Sequence, residues 1–261
     1  MPDSTRTGYY AAHPTIRVEG QIQTELSDKL LQSVLVEETT LGLFRCEACF
    51  RNWGLTNGSN DFLLFDGTIL DFGKTLSIEL GPPEVAGPVF AGRITGMEAN
   101  FGEAKPPELV VLAEDRFQDL RMERRTRSFE DVTDEDIFKR IASHHGLTPQ
   151  IDVDGPQYRS ITQVNQSDLA FLRERAASID AQIWVDNKTL YAQARSRRKT
   201  SEVTLVYQSN LLEFTVLADL AHQRTTVKVC GWDVANKDAI DEEANESVLG
   251  SELEGLKSGS S

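Results

Sequence analysis

The chain has 261 residues, 39% hydrophobic and 26% charged, enough to bury one large or two ordinary cores. Its net charge of −14 repels phosphate backbones and argues against nucleic-acid binding as the main role. No stretch approaches the ~20 apolar residues of a membrane helix, so membrane insertion by this chain is not expected. No apolar signal region follows Met1-Pro2-Asp3-Ser4, which predicts a protein made and folded in the cytoplasm.

Residues 1–125 read as mostly β. Thr15–Val18, Ser33–Glu38 and Phe44–Trp53 are strand-like, and Thr75–Leu80 alternates with Leu76, Ile78 and Leu80 on one face. Phe90–Ala99 and Leu109–Leu112 follow, with Pro and Gly clusters between them. Gly54–Asp61 reads as a loop. Many short strands with such turns suggest a small barrel or sandwich. Cys46 and Cys49 have metal-like spacing, but in an alternating strand residues three apart point to opposite faces. Phe44, Cys46, Ala48 and Phe50 then face a core, Cys49 faces the other way, and no shared metal is expected. Gly73-Lys74-Thr75 is the nearest approach to a phosphate loop, but a strand pattern follows where a helix must begin.

The character changes near Phe129. Thr133 can cap a helix whose first turn holds Asp134, Glu135 and Asp136. Ile137, Phe138, Ile141 and Ala142 form its apolar stripe, and Gly146 stops it. Tyr158–Leu172 reads as a strand running into a second helix capped by Ser167, with Leu169, Leu172, Ala176 and Ile179 buried. Phe171 falls off that stripe, so this helix should contact neighbours on two sides. Gln182–Val185 and Thr189–Ala192 flank Asp186-Asn187-Lys188, a hairpin turn. Glu202–Tyr207, Leu212–Leu217 and Thr225–Cys230 are further strand candidates. From Asp238 the chain is acidic and polar and reads as a mobile tail.

The expected fold class is α+β, mostly β, with two small β-barrel domains and an intervening two-helix segment. The boundaries are 1–125 for the first barrel, 126–181 for the helical link, 182–237 for an incomplete second barrel and 238–261 for the tail.

The residues offer little chemistry. Of the four histidines, His144 and His145 close a helix, and adjacent helical residues diverge by ~100°, a poor geometry for a shared ligand pair. His13 and His222 have no recognisable partner. The acidic runs Asp131–Asp136 and Asp241–Glu243 read as solvated faces rather than a catalytic pair. No catalytic, cofactor-binding or metal-binding residue is assigned, and no cofactor is expected. Two basic clusters, Arg121–Arg127 and Arg195–Lys199, stand out from the acidic background as solvated edges or docking patches.

Several runs together resemble a known family. Phe62–Asp66, Thr75–Gly81 and Phe90-Ala91-Gly92-Arg93-Ile94-Thr95-Gly96-Met97-Glu98 are similar to the first barrel of contractile-tail hub proteins, the phage late control D and VgrG-like group. Thr126–Thr133 resembles that family's link, and Gln163, Asn165, Ser167, Asp168, Phe171 and Leu172 match its central run. Gly231-Trp232-Asp233 with Lys237 resembles the strand end of its second barrel. The resemblance spans Asp61 to Lys237. It implies a structural, non-enzymatic homotrimer that matches a sixfold tail tube to a threefold spike in a phage tail or contractile injection system. Its partners would be tail tube protein, a spike tip or separate spike chain, and baseplate proteins. The rival readings are a monomeric β-barrel binding module and a carboxylate-based hydrolase.

Overall fold

Alternation governs the first core. In this computed structural model, which describes residues 14–39, 43–56, 58–81, 87–198, 204–209, 211, 213–215, 217, 226–234 and 236–245, seven strands form one antiparallel sheet. They are β1 (Thr15–Val18), β2 (Gln21–Ile22), β3 (Leu31–Glu38), β4 (Phe44–Arg51), β7 (Thr75–Leu80), β8 (Gly87–Asn100) and β9 (Glu108–Glu114), in the order β2-β1-β7-β8-β9-β4-β3. One face of every strand but β2 feeds a single core containing Ile16, Phe50, Leu76, Ile78, Ile94, Leu109 and Val111, all nearly inaccessible to solvent. As the spacing predicts, Cys46, Ala48 and Phe50 are buried while Arg45, Glu47 and Arg51 are exposed. Burial pushes the Cys46 thiol up to about 12. Iodoacetamide at pH 8 should therefore leave Cys46 unmodified in the folded chain while the exposed Cys230 reacts, and peptide mass mapping before and after urea unfolding checks this.

The mostly-β α+β class stands, but among the described residues the sheet does not close into a barrel. A π-helical turn, Leu26–Leu30, contacts β1 on one side and β3 and β4 on the other. It buries Leu26 and Leu30 in the gap where edge strands would otherwise pair. A second correction concerns residues 54–61. Gly54–Thr56 (β5) and Ser59–Asp61 (β6) pair as a small hairpin, with Gly58 at φ +86°.

The second core begins at the short helix α1 (Phe117–Arg121) and continues through β10 (Arg124–Val132), which pairs with β12 (Tyr158–Ser167) as an antiparallel ribbon. Helices α2 (Asp134–His144) and α3 (Asp168–Ser178) pack beside it. A three-stranded sheet completes it, in which β11 (Thr148–Asp152) runs parallel to β14 (Thr189–Ala194), and β14 pairs with β13 (Ala181–Asp186) as a hairpin. Thr133 caps α2 in a reciprocal box with Asp136: Asp136 N donates to Thr133 Oγ1 at 3.3 Å and Thr133 N to Asp136 Oδ2 at 3.0 Å. Gly146 supplies φ +64° just past the helix end. Ser167 caps α3 by accepting from Ala170 N at 3.2 Å. The two-sided contact expected of Phe171 is present, since its ring stacks on Phe129 at 5.7 Å while Leu169, Leu172 and Ala176 face the rest of the core.

The chain divides into two compact units, residues 1–197 and 198–261. In the second, β15 (Thr226–Asp233) pairs antiparallel with β16 (Asp238–Asn245). The start of the expected mobile tail is thus a strand, with Lys228 and Asp241 paired across it at 2.9 Å. Leu205 and Val206 lie outside any strand, and Tyr207 and Leu211 share one isolated bridge. Of the expected strand Leu212–Leu217, residues 213–215 and 217 lie outside any strand, and Leu212 and Val216 lie outside the described residues. Among the described residues no helix is long and apolar enough to cross a membrane.

Candidate functional site

The run Tyr158–Leu172 carries the densest polar network of the first unit. Its centre is Asp168, the first residue of α3, whose side chain is 1% exposed. Arg127, from β10, donates from one terminal nitrogen to Asp168 Oδ1 at 2.6 Å and from Nε to Gln163 Oε1 at 2.9 Å. Gln163, fully buried on β12, returns its amide to Asp168 Oδ1 at 2.9 Å. His145 Nε2 lies 2.8 Å from Oδ2. An ionised carboxylate only accepts, so Nε2 carries the proton. Arg125 Nε sits 3.5 Å from the same oxygen as an ion pair but is misaligned, and that buried N–H has no hydrogen-bond partner among the described residues. Burial alone would raise the Asp168 carboxyl. The hydrogen bonds from His145 and Gln163 and the Arg127 charge outweigh it and hold the group below the usual carboxylate range.

A second buried pair lies at the start of α2. Asp134 is fully buried and takes a bidentate contact from Arg175 on α3, at 2.7 and 3.1 Å. Arg175 also donates to Tyr158 Oη at 2.7 Å and lies over the Tyr158 ring at 4.8 Å. The acidic run at 134–136 is therefore no solvated face throughout. In the wider run Asp131–Asp136, Asp131 is exposed, and Glu135 pairs with Lys139 at 2.5 Å in solvent.

The ~100° argument for His144 and His145 does not describe their geometry. His145 is the cap of α2, at φ −93° and ψ 10°, and has left the helical path. The two rings meet edge to face at 5.0 Å, and their nitrogens and an Asp168 oxygen lie within 4.8 Å of one another. Two guanidinium groups already compensate the single Asp168 charge, which makes this trio an unfavourable cradle for a divalent cation. The arrangement is chemically a strut: it locks β10, β12, the end of α2 and the start of α3 together.

The basic clusters are largely spent inside the fold. Arg121 pairs with Glu114, Arg125 with Glu123 and Asp168, and Arg127 with Asp168. Arg124 donates to the Asn165 carbonyl at 3.2 Å and keeps an exposed side chain. Arg195 pairs with Asp180, and Arg197 with Asp152 and Asp154. Lys74, in the abandoned phosphate-loop candidate, directs its ammonium at the carbonyls of Gly67, Thr68 and Ile69 at 2.9, 2.7 and 3.2 Å. His13 and His222 lie outside the described residues.

What sequence reading missed is an exposed aromatic chain. Trp53, Phe62 and Phe101 stand in consecutive edge contacts of 5.3 and 5.5 Å, and Phe101 is 67% exposed. Leu55, at 75%, adds to the apolar surface around 53–62. No periodicity marks these residues because they sit on three separate loops and a short hairpin.

Comparison with known proteins places this architecture. A tail protein of 43 kDa from the prophage MuSo2 of Shewanella oneidensis superposes with a TM-score of 0.68 at 13% identity, over 92% of this chain and 70% of that one. A tail protein of Neisseria meningitidis MC58 gives 0.63 at 11% identity, over 92% and 69%. The E. coli c3393 protein, described as a type VI secretion component similar in structure to the T4 tail proteins gp27 and gp5, gives 0.51 at 13%, over 84% and 56%. At these identities the likeness is one of fold. No curated protein matches in sequence. The sequence profile of the Alg8 N-terminal domain matches residues 54–255, from the β5 hairpin to beyond β16, so the chain belongs to the Alg8 N-terminal domain family.

Proposed function

We propose that this protein is a structural hub or spike-base component of a phage tail or contractile injection system, of the late control D and VgrG-like kind. It acts as a homotrimer that matches a sixfold tail tube to a threefold spike. The observation that carries this reading is the shared fold over 92% of the chain with two tail proteins. The exposed aromatic chain Trp53–Phe62–Phe101 supports it, because aromatic clusters of this kind form the cores of protein interfaces. On this reading the chain is made in the bacterial cytoplasm and built into the particle, and it meets tube, spike and baseplate proteins there.

The reading is non-enzymatic. Among the described residues Asp115 is the one carboxyl raised far, to about 6, mainly by burial. Its oxygens are occupied by the backbone N–H groups of Phe44 and Phe117, at 3.0 and 2.9 Å, which is a structural role. Native mass in solution tests the assembly. A species near three times 29.1 kDa is expected, and Phe62→Glu combined with Phe101→Glu should weaken it at least tenfold while leaving the circular-dichroism spectrum unchanged. A monomer that stays monomeric with the spike chain added overturns the trimer.

A further inference from the structure

Between the β7–β8 face of the first sheet and the β13–β14 turn lies a cleft of about 390 Å³ lined by Arg93, Arg116, Lys188, Ser77, Thr75 and Asn187. At ~30 Å³ per water it has room for about a dozen waters, and so for an anion carrying several oxygens. Three cationic residues line it in a chain of net charge −14.

Their hydrogen-bonding states differ in a telling way. Arg116 is pinned: its Nε donates to Asp119 at 2.5 Å and a terminal nitrogen to the His145 carbonyl at 3.0 Å. Arg93 is not. Its Nε–H is buried and has no acceptor among the described residues, an unfavourable state for a buried donor. Lys188 sits on the exposed hairpin turn and has no carboxylate partner among the described residues. Glu19 lies close enough for its carboxyl to feel the Arg93 charge, but it spends an oxygen on Thr75 N. Glu19 and Asp119 thus leave the cleft with a surplus of positive charge.

We infer that this cleft is an oxyanion-binding site, in which the Arg93 and Arg116 guanidiniums and the Lys188 ammonium hold a multiply charged phosphate or carboxylate group. Guanidinium forks match both anions in geometry, and a mobile ammonium adapts to either. Two sources share this chemistry, a free phosphate and the clustered carboxylates of an acidic polypeptide segment. The site does not depend on the tail assignment.

Isothermal titration of the full chain at low salt, where surface charge is least screened, tests it with two probes, inorganic phosphate and an acetylated hexaglutamate peptide. Saturable binding of at least one is expected, weakened at least tenfold by Arg93→Gln and by Lys188→Ala. Lys188 is on an exposed turn, so its variant keeps the fold and the test remains decisive even if Arg93→Gln misfolds. Binding of the peptide alone identifies a polypeptide ligand, and binding of phosphate alone a free anion. No saturable binding of either probe, or binding that both variants retain, overturns the site.

Discussion

Asp168→Ala should destabilise the first unit by about 3–5 kcal/mol in urea unfolding, because removing one partner of a buried ion pair strands the others. Asp168 is the common acceptor for Arg127, Gln163 and His145 and the nearest anion to Arg125. Its loss leaves the Arg127 guanidinium uncompensated, Arg125 with Glu123 alone, and Gln163 buried with fewer partners. Glu135→Ala is the matched control. It also removes an acid from an ion pair, with Lys139, but in solvent, and should cost no more than ~0.5 kcal/mol. Equal effects from the two variants would show that the network is not what holds α3 to the β10–β12 ribbon.

The same carboxyl gives the fold a pH signature. Its folded value lies below its unfolded value of 3.8, so its stabilisation is whole above 3.8 and is lost as pH falls through the lower folded value. Asp115 works in the reverse sense. Raised to about 6, it favours the fold when protonated, and that contribution is whole below 3.8 and lost as pH rises through about 6. The steepest acid loss should therefore come below 3.8, and Asp168→Ala should flatten it.

Gly92→Ala is expected to cost ~3 kcal/mol or more and to leave most of the protein insoluble. A Cβ at Gly92 would lie 2.2 Å from the Glu114 carbonyl oxygen and 2.6 Å from the tip of the Phe90 ring. The backbone there belongs to the middle of β8, paired to β7 on one side and β9 on the other, so the Glu114 carbonyl cannot move away without opening the sheet. Gly20→Ala makes the comparison: its φ of +77° imposes strain but nothing lies within 4 Å, so about 1 kcal/mol is expected. Thermal melts of the soluble fractions measure both, and a Gly92→Ala protein as stable as the parent would show that β8 and β9 can separate at that point.

The parts of this fold that read directly from sequence are those whose local signals agree. Thr75–Leu80 alternates without interruption, and the strand has those bounds. Thr133 and Ser167 announce their helices because an N-cap is a local device that needs no distant partner. The β5–β6 hairpin was legible in principle from Asn57-Gly58, a strong turn signal, but its polar residues mask the alternation. The strand Asp238–Asn245 hides in the same way behind acidic composition. Failure of the sheet to close was not legible, because it depends on where the Leu26–Leu30 turn lodges. Nor was the burial of Asp134 and Asp168, since their partners lie 41 residues away in sequence and no spacing encodes the pairing.

The parallel pairing of β11 with β14 sets the order in which the second core can be completed during synthesis. Thr148 finds its strand partner only at Thr189, after β12, α3 and β13 have been made. Until Ala194 has left the ribosome, β11 has no neighbour to satisfy its ladder. At ~5–20 residues per second, the interval from Asp152 to Ala194 lasts about two to eight seconds. Through that time the ribbon, caps and buried ion pairs near α2 and α3 can already form. The nascent chain then waits on its last hairpin, and a translational pause once Ala194 has left the ribosome would give that step time to finish before the second unit emerges.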